Sequence, residues 1–192
     1  ADEEICGWYF GEENIDFYAC KKAEYRGELK QYCEKSMSRS CLNNNKGIVE
    51  RLMNRFGMSA YKTITFMKEG IGQLHFGNTE GSNMLEGKDI LVVGTPYHAE
   101  FLYKLAAVSM GIKFDEEEKM MLLTIDYNGY RLRFTTFADE KLRKIHLWMI
   151  ESELEQAVGR ARLLRNACTV HLFSNFPLSQ AKMIRGFDYE KN

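Results

Sequence analysis

Late in the chain stands Gln156-Ala157-Val158-Gly159-Arg160-Ala161-Arg162, with Arg165 three residues further on. Guanidinium groups two residues apart offer several fixed N–H donors, the arrangement that phosphate oxygens accept, and a neighbouring glycine lets another molecule approach the backbone. A second segment, residues 77–97, begins with small polar residues, among them Thr79, Glu80, Gly81, Ser82 and Asn83. It then enters the apolar run Ile90-Leu91-Val92-Val93 and leaves through Gly94-Thr95-Pro96. Hydroxyls, amides and backbone N–H groups beside a strand suit contacts to a phosphodiester. A third segment, Ser36-Met37-Ser38-Arg39-Ser40, sets one arginine among hydroxyls. It reads as a polar turn, with a phosphate-contacting loop as the sharper alternative.

Other chemistry has less support. Cys6, Cys20, Cys33, Cys41 and Cys168 form no C-x-x-C pair, and the four histidines form no H-E-x-x-H pattern, so reduced thiols and no metal site are expected. The sequence contains no G-x-x-x-x-G-K-[ST] phosphate loop, and no apolar strand ends in an acidic pair suited to magnesium. Clustered arginines without a phosphate loop predict a chain that cannot hydrolyse ATP alone.

The elements that must position these residues are legible from pattern. The chain has 192 residues, 45% hydrophobic and 28% charged, with a formal net charge of -1, which suits one globular domain over residues 1–192. No apolar run approaches the roughly 20 residues of a membrane span, and the first residues are acidic, so a cytoplasmic protein without a membrane partner is expected. Charge is uneven: residues 21–62 carry ten bases against four acids. Strands are predicted at residues 5–10, 15–20, 63–67, 89–94 and 168–173, and helices at residues 46–56, 99–110 and 139–158. Asn128-Gly129 predicts a hairpin over residues 120–137, with Tyr130, Leu132 and Phe134 facing inward. The fold class is therefore α/β, a mostly parallel sheet flanked by helices with an antiparallel hairpin insert. Arg165 is placed one turn beyond Arg162 on a continuing helix.

Residues 156–165 resemble motif VI of superfamily 2 helicases, written Q-x-x-G-R-x-x-R. Gln156, Gly159 and Arg160 match, and Leu163 occupies the last arginine position, leaving Arg162 or Arg165 as the second finger. Residues 77–97 resemble motif V of the XPD-like and DinG-like helicases, with Glu80-Gly81 matching and Asn83 where Asp is usual. The order of the two segments and the last strand is similar to that of a second RecA-like domain, over residues 60–176 and by analogy over residues 1–60. The resemblance implies a RecA-like C-terminal motor domain. ATP and Mg would be held mainly by the N-terminal RecA-like domain of the same motor. Arg160 and Arg162, oriented by Gln156, would be catalytic, with Gly159, Gln156 and Arg165 at the nucleotide. Thr79, Glu80, Gly81, Ser82, Asn83 and Arg39 would contact DNA or RNA. The alternative is a catalytically silent RecA-like module for nucleic-acid binding or assembly, with these arginines tied into internal salt bridges.

Overall fold

Ile90–Val93 is apolar at every position, and a strand of this kind is stable only with both sheet faces covered. In the computed structural model, which describes residues 2–19, 22–79 and 81–190, it forms β3 (Ile90–Val93) with all four side chains fully buried. Each such burial contributes roughly 1.5–3 kcal/mol. β3 lies in a five-stranded parallel sheet ordered β2-β3-β6-β1-β7, with β1 (Glu28–Tyr32), β2 (Thr63–Ile64), β6 (Thr169–Phe173) and β7 (Lys182–Ile184). The helices are α1 (Asp2–Phe10), α2 (Arg39–Asn44), α3 (Ile48–Phe56), α4 (Glu100–Ser109) and α5 (Glu140–Gly159). A separate antiparallel hairpin pairs β4 (Met121–Tyr127) with β5 (Tyr130–Thr136). The protein is thus α/β, with a RecA-like parallel sheet flanked by helices and a hairpin insert.

The chain divides into two compact units, residues 23–97 with 152–192 and residues 1–22 with 98–151. The first holds the whole sheet. On one face Tyr32, Leu91, Val93 and Phe173 pack with Val49 and Leu52 of α3, and alternation sends Ile90, Val92, Val170 and Leu172 to the other face. His171, beside the Tyr32 hydroxyl at 3.1 Å, is pushed down to about 4 by burial and then by Lys30. In the second unit Ile5, Tyr103, Ala107, Phe137, Leu142 and Ile145 form the core, with Trp148 and Met149 packed against it. His146 is buried there, 2.8 Å from the Thr136 hydroxyl, and burial pushes its pKa down to about 3.

Several elements differ from expectation. Residues 5–10 belong to helix α1, because Asp2, Glu3 and Glu4 in the first turn complement the helix dipole and a short apolar run does not separate strand from helix. Residues 15–19 have no regular structure, and Cys20 lies outside the described residues. The strand expected over 63–67 is confined to Thr63–Ile64, after which Met67–Glu69 forms a 3-10 turn. Ser38 is a helix cap: its hydroxyl accepts from Cys41 N at 3.2 Å and starts α2. The hairpin turn follows the sequence signal, with Asn128 and Gly129 both at positive φ. Among the described residues no helix is long and apolar enough to cross a membrane.

Candidate functional site

α5 is the element that delivers the arginines. Its last residue is Gly159, after which the chain turns through Arg160 and Ala161, and Arg162 takes a left-handed φ of 57°. Such a conformation costs roughly 1–3 kcal/mol for a non-glycine residue and persists only where its surroundings hold it. Here the Arg162 carbonyl accepts from Arg165 N at 2.9 Å and Asn166 N at 3.0 Å. The helix therefore does not continue to Arg165, which sits in the following turn.

The turn brings together the two segments that the sequence set far apart. Arg160 Nε donates to the Gln156 carbonyl at 3.2 Å, and its Nη1 donates to the Ser82 carbonyl at 3.2 Å. Arg162 Nη2 donates to Asn83 Oδ1 at 3.1 Å, and Gly87 N donates to the Ala161 carbonyl at 3.1 Å. These acceptors are neutral, so they orient the guanidinium groups without cancelling their charge. None of the ion pairs among the described residues involves Arg160, Arg162 or Arg165.

Beside this turn lies a cavity of about 240 Å³, lined by Tyr25, Gly159, Arg162, Leu164 and Arg165 among others, with no acidic side chain in its described lining. Arg26 Nη1 donates to the Arg165 carbonyl at 3.4 Å. Gly159 is not required by the fold. A Cβ built there would meet no atom within 4 Å, and its φ lies outside the left-handed region. Glycine in a helix costs roughly 0.5–1 kcal/mol relative to alanine, so this position leaves backbone open at a cost to stability.

The remaining candidates divide. Gly81 and Asn83 are exposed, Ser82 is half-buried, and Thr79 is buried at 2% exposure; Glu80 lies outside the described residues. Arg39 is not brought to them. It bonds the Tyr97 carbonyl beyond the C-terminal end of β3 and lies 4.5 Å from the Phe66 ring centroid, whereas the arginine turn meets Gly87, ahead of β3. Thr95 and Ser174 are fully buried, 2.8 Å apart, and Thr95 also bonds the Ser36 carbonyl, so this polar cluster at the strand ends is satisfied internally. Among the described residues no group of His, Cys, Asp or Glu could hold a metal ion. Sequence reading did not single out Tyr25 and Tyr61, which reach the site's edge through strand pairing, or Lys88, which bonds the Met84 carbonyl four residues before it.

Comparison of the chain with protein-family models, with curated proteins and with solved structures finds no match.

Proposed function

We propose that this chain is the C-terminal motor domain of a cytoplasmic, ATP-dependent helicase or translocase, acting with an N-terminal RecA-like domain that carries the phosphate loop. The observation that carries the reading is the pair of contacts from Arg160 to Ser82 and from Arg162 to Asn83. They couple the arginine turn to the polar segment that would contact DNA or RNA. A silent assembly module would bury its arginines in salt bridges, whereas here both meet neutral acceptors.

The residues fit a triphosphate. Two guanidinium groups in the cavity lining, Arg162 and Arg165, an open backbone at Gly159 and an acid-free lining favour an anion. Magnesium would be held by the partner domain, and bound MgATP supplies the phosphoanhydride that is cleaved. Arg160 and Arg162 would place N–H donors where negative charge builds on the transferred group, with Gln156 holding the Arg160 Nε through its carbonyl. Gly81, Ser82 and Asn83 would sense the nucleic acid on the same turn. The purified chain should show no ATP hydrolysis above background, with or without nucleic acid, and the complete motor should lose turnover on Arg160→Ala. Turnover by the isolated chain, or an Arg160→Ala motor of undiminished rate, contradicts the reading.

A further inference from the structure

The turn that holds Arg160 and Arg162 has a second side. Tyr61 stands in a 3-10 turn (Ala60–Lys62) immediately ahead of β2, and Lys88 stands just ahead of β3. Because β2 and β3 pair in parallel, Thr63 with Leu91, these two lead-in segments emerge side by side at one edge of the sheet. The Tyr61 hydroxyl donates to the Met84 carbonyl at 3.1 Å, and Lys88 Nζ donates to the same carbonyl at 2.8 Å. Lys88 Nζ also lies 4.6 Å from the Tyr61 ring centroid. Met84 N in turn meets Ser82 Oγ at 3.4 Å. Tyr61 and Met84 keep 40% and 36% of their surface exposed despite these contacts.

We infer that Tyr61, Met84 and Lys88 form a platform for one unpaired base of a single-stranded nucleic acid, joined through Ser82–Asn83 to the arginine turn. The inference rests on the motor reading and adds the residues that grip the strand. A fixed, half-exposed aromatic ring offers a π face that any base can stack on. The flexible thioether of Met84 fits beside it. The Lys88 ammonium lies over one face of the ring and donates to its hydroxyl at 3.4 Å, within reach of the backbone phosphate of a nucleotide stacked on the opposite face. Stacking of this kind needs a base free of its partner, so the platform selects single strands over duplex. Two acids bear on the same edge: the Asp89 carboxylate already accepts from Thr169 N at 2.7 Å, and Glu86 in the turn is exposed and opposes binding. With so few phosphate contacts and a net charge of -1, affinity should be weak and should fall with salt.

The test is fluorescence anisotropy of a labelled twelve-residue oligothymidylate with the whole chain, without ATP or a partner domain. Tyr61→Ala should lower affinity about ten-fold, the usual size of one lost base–aromatic stack. Tyr61→Phe removes the bonds to the Met84 carbonyl and from Lys88 Nζ but keeps the ring, and should bind within about two-fold of the parent. Lys88→Gln should weaken binding and reduce the salt slope by about one. Arg131→Gln on the hairpin should change nothing. Melting curves establish that each variant is folded. The platform is overturned if the parent chain does not bind, if Tyr61→Ala binds as tightly as the parent, or if Tyr61→Phe falls as far as Tyr61→Ala. These outcomes leave the arginine reading standing, since that reading is decided by turnover in the complete motor.

Discussion

The two compact units differ in where the arginine turn and the exposed apolar side chains lie. In the sheet unit, Arg160 and Arg162 bond a carbonyl and an amide and keep their charge available. Ion pairs occur in both units: Lys30 with Glu28 at 2.9 Å and Lys35 with Glu190 at 3.0 Å in the sheet unit, and Lys144 with Glu4 at 2.8 Å and Lys104 with Glu100 at 3.4 Å in the helical unit. Apolar surface is unevenly shared. Nine of the thirteen exposed large hydrophobic side chains among the described residues lie in the helical unit, including Phe101, Leu105 and Val108 along α4. The sheet unit thus holds the arginine turn outside any ion pair among the described residues, and the helical unit holds most of the exposed apolar surface.

The largest expected effect falls on the sheet unit. In the complete motor Arg160→Ala should lower kcat about 10³-fold or more, the range of an arginine finger, while Tm moves little. Arg160→Lys should fail nearly as badly, because lysine lacks the planar fork; rescue by Lys would reduce the contrast to general electrostatics.

Acid should affect both units. The folded pKa values of His146 and His171 are depressed to about 3 and about 4, against an unfolded value near 6.5. The stability they support is complete above about pH 6.5 and declines as pH falls toward the folded values, because the unfolded chain binds protons first. For buried His146 the loss approaches about 1.4 kcal/mol per pH unit within that window. Thermal melts from pH 7 to pH 4 and imidazole NMR titrations measure this. Both rings should stay neutral at pH 5, and titration of His146 near 6.5 would show that the helical core admits water.

Smaller effects sharpen the contrast further. Gly159→Ala should raise stability by roughly 0.5 kcal/mol, since its Cβ meets nothing, yet lower turnover because the side chain occupies the open backbone. Equal or improved turnover would mean no ligand approaches there. Arg165→Ala should reduce turnover less than Arg162→Ala, because Arg165 lies in the turn beyond the contact with Asn83. The reverse order would make Arg165 the second finger.

What the sequence made legible follows from how local each signal is. β3, β6, α5 and the Asn128-Gly129 hairpin are encoded by contiguous apolar runs or a turn that demands positive φ. β1 was not legible, because Glu28-Leu29-Lys30-Gln31-Tyr32 mixes charge with apolar residues and becomes a central strand only between β6 and β7. Gln31 is fully buried by donating to the Ser174 and Phe176 carbonyls at 2.9 and 2.6 Å, partners more than 140 residues away. At the candidate site the identities of Gln156, Gly159, Arg160 and Arg162 could be read. The left-handed φ at Arg162 could not, because few non-glycine residues adopt it, and the approach of Tyr61 could not, because it depends on the pairing of β2 with β3.

Whether the turn after α5 receives phosphate is tested most directly by an NMR titration of the isolated chain with inorganic tripolyphosphate at low salt. The Nε–Hε signals of Arg160 and Arg162, with the amides of Gly159 and Asn83, should shift first and together. Arg131 and Arg133 on the exposed hairpin face should move only at much higher concentration. Equal shifts at the hairpin and turn arginines, or none at Arg160 and Arg162, would contradict it.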